Sequence, residues 1–233
     1  MAEYGKLTPN DHTIRAVGPE DAATATNNGT YISMANYGLC EIHIFTGDVA
    51  GNTSAITITQ AQDLSGTGAK ALSFTKYYRP GQQLLITGQS GTFSVGETLT
   101  GGTSANTAKV MIISSKHLWV AIITGSTTWT DGETLTGGTS GATALASGTG
   151  QFEDVGLEEA AGSNTFNTLA LTFKHWVIPV SSDMLDVDNA FDSIRVNLGQ
   201  AGGATEMFAE YQLKDGKYKR YPQTSAQGAI KGV

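Results

Sequence analysis

The residues able to do chemistry are few and scattered. Four histidines, His12, His43, His117 and His175, lack metal-ligand spacing. None joins a second His, a Cys or a carboxylate in a recognised catalytic or zinc pattern. His43 falls on the polar side of an alternating segment, which predicts a solvated ring or one hydrogen-bonded across a sheet. The one dense carboxylate group is Asp183, Asp186, Asp188 and Asp192. An EF-hand loop needs Gly at its sixth position and Glu at its twelfth, and counting from Asp186 the sixth residue is Phe191. These carboxylates therefore read as turn caps on a soluble surface, with a looser calcium site as the other use of the same residues.

Gly66-Thr67-Gly68-Ala69-Lys70-Ala71 lacks the spacing of a phosphate-binding loop, and no Gly-x-Ser-x-Gly elbow occurs. Asn28-Gly29-Thr30 and Asn52-Thr53-Ser54 fit the glycosylation sequon by chance in a chain so rich in threonine. Lys214, Lys217, Lys219 and Arg220 interleave with Tyr211, Tyr218 and Tyr221, a mixture able to stack on bases. The formal net charge of −7 opposes that use, so a basic edge meeting an acidic partner, or a solvated strand end, fits better. The expectation is a protein without catalytic, cofactor-binding or metal-binding residues, which is not an enzyme and binds neither nucleic acid nor membrane.

The elements that would carry these residues are strands. With 31 threonines and 29 glycines in 233 residues, and only 15% charged residues, the chain is poor helix material. β-Branched side chains lose rotamer freedom in a helix and glycine gives up backbone entropy. The 39% of apolar residues suffices for a core. No apolar run approaches the ~20 residues that span a bilayer, and Met1–Lys6 shows no signal pattern, predicting no secretory export. A lone Cys40 excludes a disulfide framework.

Alternation marks half-buried antiparallel strands at Glu41–Phe45 and Ala55–Thr59, with further strands at Ala71–Thr75, Leu169–Phe173, Trp176–Ile178, Ile194–Leu198 and Met207–Leu213. Gly96-Glu97-Thr98-Leu99-Thr100-Gly101-Gly102-Thr103-Ser104 recurs unchanged from Gly132 to Ser140, an offset of 36 residues. Phe93 and Trp129 each stand three residues before a copy, and Leu85–Gly88 parallels Ile122–Gly125 with a one-residue slip. Two copies fall short of a free-standing solenoid, so the pair forms one compact unit with Leu99 and Leu135 as core plugs. The predicted fold is all-β: an antiparallel β-sandwich or barrel core with an inserted small β domain. Its parts are an extended arm (1–28), a discontinuous core (29–88 plus 151–222), the inserted module (89–150) and a C-terminal tail (223–233).

Tyr31–Met34, Ala55–Leu72, Trp176–Val180, Leu185–Leu198, Ala209–Leu213 and Arg220–Pro222 together resemble small structural proteins of tailed bacteriophages, over about residues 30–88 and 165–222. The resemblance implies a capsid decoration, or cement, protein on the virion surface, assembled in the host cytoplasm. Its implied partners are the major capsid protein and further copies of itself as a homo-oligomer. The duplicated insert departs from that pattern and leaves a tail- or fibre-associated protein, contacting a host glycan or another tail subunit, as the alternative. On the cement reading, removal of residues 1–28 is expected to weaken attachment while leaving the β fold intact.

Overall fold

A computed structural model describes residues 11–49, 52–124, 128–148, 151–161, 163–168, 170 and 172–216. Strands account for 56% of the chain and helix for 3%, so the all-β expectation holds. In chain order the strands are β1 (His12–Asp21), β2 (Asn27–Asn28), β3 (Ile32–Ser33), β4 (Tyr37–Thr46), β5 (Ala55–Ala61), β6 (Lys70–Ala71) and β7 (Lys76–Ser90). There follow β8 (Thr98–Gly101), β9 (Thr107–Ile113), β10 (His117–Thr124), β11 (Thr134–Gly137), β12 (Thr143–Ala146) and β13 (Gln151–Ala160). The last are β14 (Thr165–Asn167), β15 (His175–Ser181), β16 (Ser193–Leu198) and β17 (Glu206–Gly216). Among the described residues no helix is long and apolar enough to cross a membrane.

Two cores form. In the first, β1-β17-β4-β15 and the start of β7 lie over a smaller sheet ordered β14-β5-β16-β2, with β3 and β6 on its flanks. Ile42, Ile44, Trp176, Ile178 and Tyr211 from one sheet meet Ile56, Ile58, Ile194, Val196 and Leu198 from the other, and all are buried. The period-two spacing of these residues puts every second side chain into one layer, which is what a sandwich requires. Tyr211 ties the layers: its hydroxyl donates to Thr30 O at 3.0 Å and accepts from Val196 N at 2.9 Å. Gly29 leaves room for it, because a Cβ there would lie 2.8 Å from Val196 O and 3.0 Å from the hydroxyl.

The second core lies inside a closed six-stranded barrel. The order β7-β10-β9-β8-β11-β12 returns to β7 through the β12–β7 pairing. The repeat explains the ring. At the common offset of 36 residues, β7 matches β10, β8 matches β11 and β9 matches β12, and exchanging the two sets leaves the ring order unchanged. A pseudo-twofold axis therefore runs between β7 and β10 and between β8 and β11. Inward-facing Ile86 and Ile122 correspond at this offset, so the one-residue slip read from sequence disappears. Phe93 and Trp129 fill the interior with Leu99 and Leu135, as expected of core plugs. At equivalent positions Trp129 Nε1 donates to Gln82 Oε1 at 2.7 Å, where the other half has the apolar Phe93 and Leu118. The indole N–H needs an acceptor when buried, and the phenyl ring does not.

Three expectations change. The stretch read as an extended arm is, from residue 11, part of the sandwich: β1 pairs along β17, and Ala16, Val17 and Ala22 are core residues. Its lack of apolar periodicity reflects the bulges between Arg15 and Val17 and between Val17 and Glu20, which break the alternation. Removing residues 1–28 thus strips core side chains and a strand partner instead of leaving the fold intact. Leu169–Phe173 is no strand at Ala170, Thr172 or Phe173; Phe173 turns outward at φ 51° and 75% exposure. The strand at Ala71–Thr75 shrinks to β6, after which Leu72 and Phe74 plug the sandwich from a loop. The C-terminal tail, 223–233, lies outside the described residues.

Candidate functional site

The Glu of each repeat crosses to the other repeat. Glu97 accepts hydrogen bonds from Ser94 N (2.6 Å) in its own turn, and from Thr139 N (3.1 Å), Ser140 N (2.9 Å) and Ser140 Oγ (2.9 Å) in the second copy. Glu133 mirrors this with Thr130 N (2.7 Å), Thr103 N (3.0 Å), Ser104 N (2.9 Å) and Ser104 Oγ (3.0 Å). Each Gly-Gly-Thr-Ser turn is thus a nest of donors filled by the partner repeat's carboxylate. Burial alone would raise both carboxyls; the backbone and Ser donors outweigh it and hold them below the usual glutamate value. Gly101 and Gly137 are required by the same geometry, since a Cβ on Gly137 would lie 2.7 Å from both Glu97 oxygens.

A third carboxylate fixes the barrel to the sandwich. Glu159 on β13 accepts from Arg79 Nη1 (2.6 Å), Tyr77 OH (2.8 Å) and Lys109 Nζ (3.1 Å), the last from the barrel strand β9. Arg79, 8% exposed, also donates through Nη2 to Ile122 O on β10 at 3.0 Å. Burial opposes ionisation of Glu159, but Arg79 beside it keeps the carboxyl low. Strand β7 runs unbroken beneath this junction for 15 residues, with Tyr77 in the first core and Leu84 and Ile86 in the second. Hydrogen-bonded strand therefore joins the two cores where a linker would otherwise stand.

The outer face of β17-β4-β15 carries the only grouped histidines among the described residues. His43 Nδ1 and His175 Nε2 are 2.9 Å apart, His43 Nε2 lies 3.4 Å from Glu41 Oε2, and Glu41 accepts from Lys214 Nζ at 2.6 Å. Phe45 stacks on the His175 ring at 4.1 Å. Burial, then the neighbouring His43, push His175 down to about 4. His43 therefore matches the cross-sheet hydrogen-bonded reading, and its partner is a residue 132 positions away. Among the described residues no group of three or more His, Cys, Asp or Glu side chains is arranged to hold a metal ion.

The remaining residues singled out by sequence are dispersed into structural tasks. Asp186 pairs with Lys70 and accepts from Asn189 Nδ2 at 2.9 Å, and Asp192 accepts from Ser193 Oγ at 2.7 Å, inside a turn built from two single-turn 3-10 helices. Asp183 and Asp188 occupy those two short helices, Ser182–Met184 and Val187–Asn189. Of the basic-aromatic cluster, Tyr211 is fully buried and Lys214 is bound to Glu41, so neither is a stacking platform; Lys217, Tyr218, Lys219, Arg220 and Tyr221 lie outside the described residues. Sequence reasoning missed Glu97 and Glu133 as clasps. Their signal was present in the exact repetition of Gly-Glu together with Thr-Ser. Comparisons with protein families, curated proteins and solved structures found no match to this chain.

Proposed function

We propose that the protein is a non-enzymatic structural component of a tailed-phage virion that seats on the outer capsid surface and stabilises it. The observation that carries this reading is the continuous junction: β7 passes through both cores and Glu159 ties the barrel to it through Arg79, Tyr77 and Lys109. A cement protein works by holding neighbouring subunits at fixed spacing, and a body without an internal linker transmits that restraint. Binding only the assembled shell stabilises it by mass action. The partners are then the major capsid protein and other copies of this chain around a symmetry axis.

The test is the composition of purified particles. Abundance rivalling the major capsid protein, with matching density over the shell in an electron-microscopy map, supports the reading. Absence from particles overturns it. A second reading, a tail- or fibre-associated binder of a host glycan, draws support from Phe173, whose outward ring at 75% exposure is free to stack on a sugar face. Low abundance with density confined to the tail would favour that alternative.

A further inference from the structure

The outer face of the smaller sandwich sheet holds a cation in an unusual state. Arg195 on β16 is half-buried, and its guanidinium lies 4.6 Å from the Tyr31 ring centroid. Lys70, Lys76, Arg79, Lys109 and Lys214 each have a carboxylate partner; Arg195 has none among the described residues, and unlike Arg15 and Lys116, which also lack one, it is not fully exposed. Its Nε is buried and unpartnered. Two positions along the same face, Asn197 is only 7% exposed, donates through Nδ2 to Thr57 Oγ1 at 3.2 Å, and leaves its Oδ1 buried without a donor. Thr59 stands directly across from Arg195, with Tyr31 OH 3.5 Å from its hydroxyl, and Asn28 lies across from Asn197.

This is a pre-set donor fork. Stacking on an aromatic ring removes most of the rotamer freedom of an arginine, so less entropy is lost when the fork binds. Desolvating a cation without a counter-ion costs free energy that a carboxylate from outside recovers. A sugar ring is a poorer match, because one face of Tyr31 is already taken. Arg195 covers one side, and the backbone of Gly66 presses so closely that a Cβ there would stand 2.8 Å from Tyr31 Cε2. The flanking Thr57 and Thr59 hydroxyls add neutral donors beside the fork, suited to the second oxygen of a carboxylate.

We propose that Arg195, set by Tyr31 and flanked by Thr57 and Thr59, is an anchor for an Asp or Glu side chain on a protein partner. The inference rests on the reading of this protein as one that works by attachment. Its test needs no virion, so either claim can fail alone.

The experiment measures binding of labelled poly-L-glutamate to the full chain at low ionic strength, with polygalacturonate as the comparison probe. The expected result is binding of polyglutamate that weakens about tenfold in Arg195→Gln and is unchanged in Arg15→Gln, an exposed cation on another strand. Arg195→Lys keeps the charge but not the fork, and is expected to weaken binding severalfold. Far-UV circular dichroism and a melt establish that each variant is folded. No binding by the wild-type chain, equal loss in Arg15→Gln, or full binding by a folded Arg195→Gln overturns the proposal. Preference for polygalacturonate overturns it too, by assigning the site to an acidic polysaccharide.

Discussion

Gly137→Ala is the sharpest test of the crossed clasps, because the new methyl would occupy space held by a residue of the other repeat. A Cβ at Gly137 would sit 2.5 Å from Ser140 Oγ and 2.7 Å from both oxygens of Glu97. Ser140 Oγ can rotate away, but the carboxylate is pinned by three backbone N–H groups and a hydroxyl. Displacing it leaves those donors wholly or partly unsatisfied. At roughly 1 kcal/mol for each partly buried group, the loss is about 3 kcal/mol. Glu97→Ala removes the same acceptor and costs a similar amount. The two changes injure one interaction, so the double variant is expected to fall short of additivity by about 1–2 kcal/mol, whereas Gly137→Ala with Glu133→Ala adds almost independently. Urea unfolding followed by tryptophan fluorescence and circular dichroism gives each value. A Gly137→Ala protein within about 0.5 kcal/mol of wild type, or strict additivity with Glu97→Ala, would refute the clasp as the reason for glycine at this position.

Further outcomes follow from neighbouring geometry. Ala105 has φ 55° where its repeat mate is Gly141 at φ 67°, so Ala105→Gly is expected to raise stability by about 1 kcal/mol in the same unfolding assay. Tyr211→Phe orphans Val196 N and Thr30 O at the layer junction and should cost about 2 kcal/mol, seen as a lower melting temperature. His175 is held neutral to about pH 4 against an ordinary value of 6.5. Between those values the unfolded chain binds a proton that the native chain refuses, so stability falls on acidification through that window. His175→Phe should flatten the slope between pH 6.5 and 4.5, whereas Glu97 and Glu133, with depressed carboxyls, withdraw their contribution only below the ordinary value of 4.5.

The strands that sequence exposed are those whose neighbours are uniform. Ile42, Ile44, Ile56 and Ile58 alternate without interruption because each strand has one face in the core and one outside it. Phe173 misled because Leu-Ala-Leu-Thr-Phe has strand composition, while the backbone at Phe173 turns left-handed and follows Gly47 O instead of a neighbouring strand. The arm misled because bulges in β1 hide its inward residues from any simple period. Among the candidate sites, repetition announced the barrel but not its closure: nothing local to Glu97 says that its donors lie 42 and 43 residues ahead. His43 and His175 are likewise joined only by the pairing of β4 with β15, and Arg195 is notable for what it lacks, which no motif encodes.

The seam between β7 and β12 sets the order in which this molecule can be made. The first strand of the barrel is bonded to the last, Ile86 opposite Ala146, with both repeats threaded between them. A nascent chain leaving the ribosome has no complete ring until that final strand emerges, and the first repeat's Gly-Gly-Thr-Ser nest stays empty until Glu133 arrives. The β1 edge waits longer still, since its mate β17 closes the described chain. Synthesis from one end therefore leaves β1 and β4 without their sheet partners for most of translation, and the barrel can close well before the sandwich does.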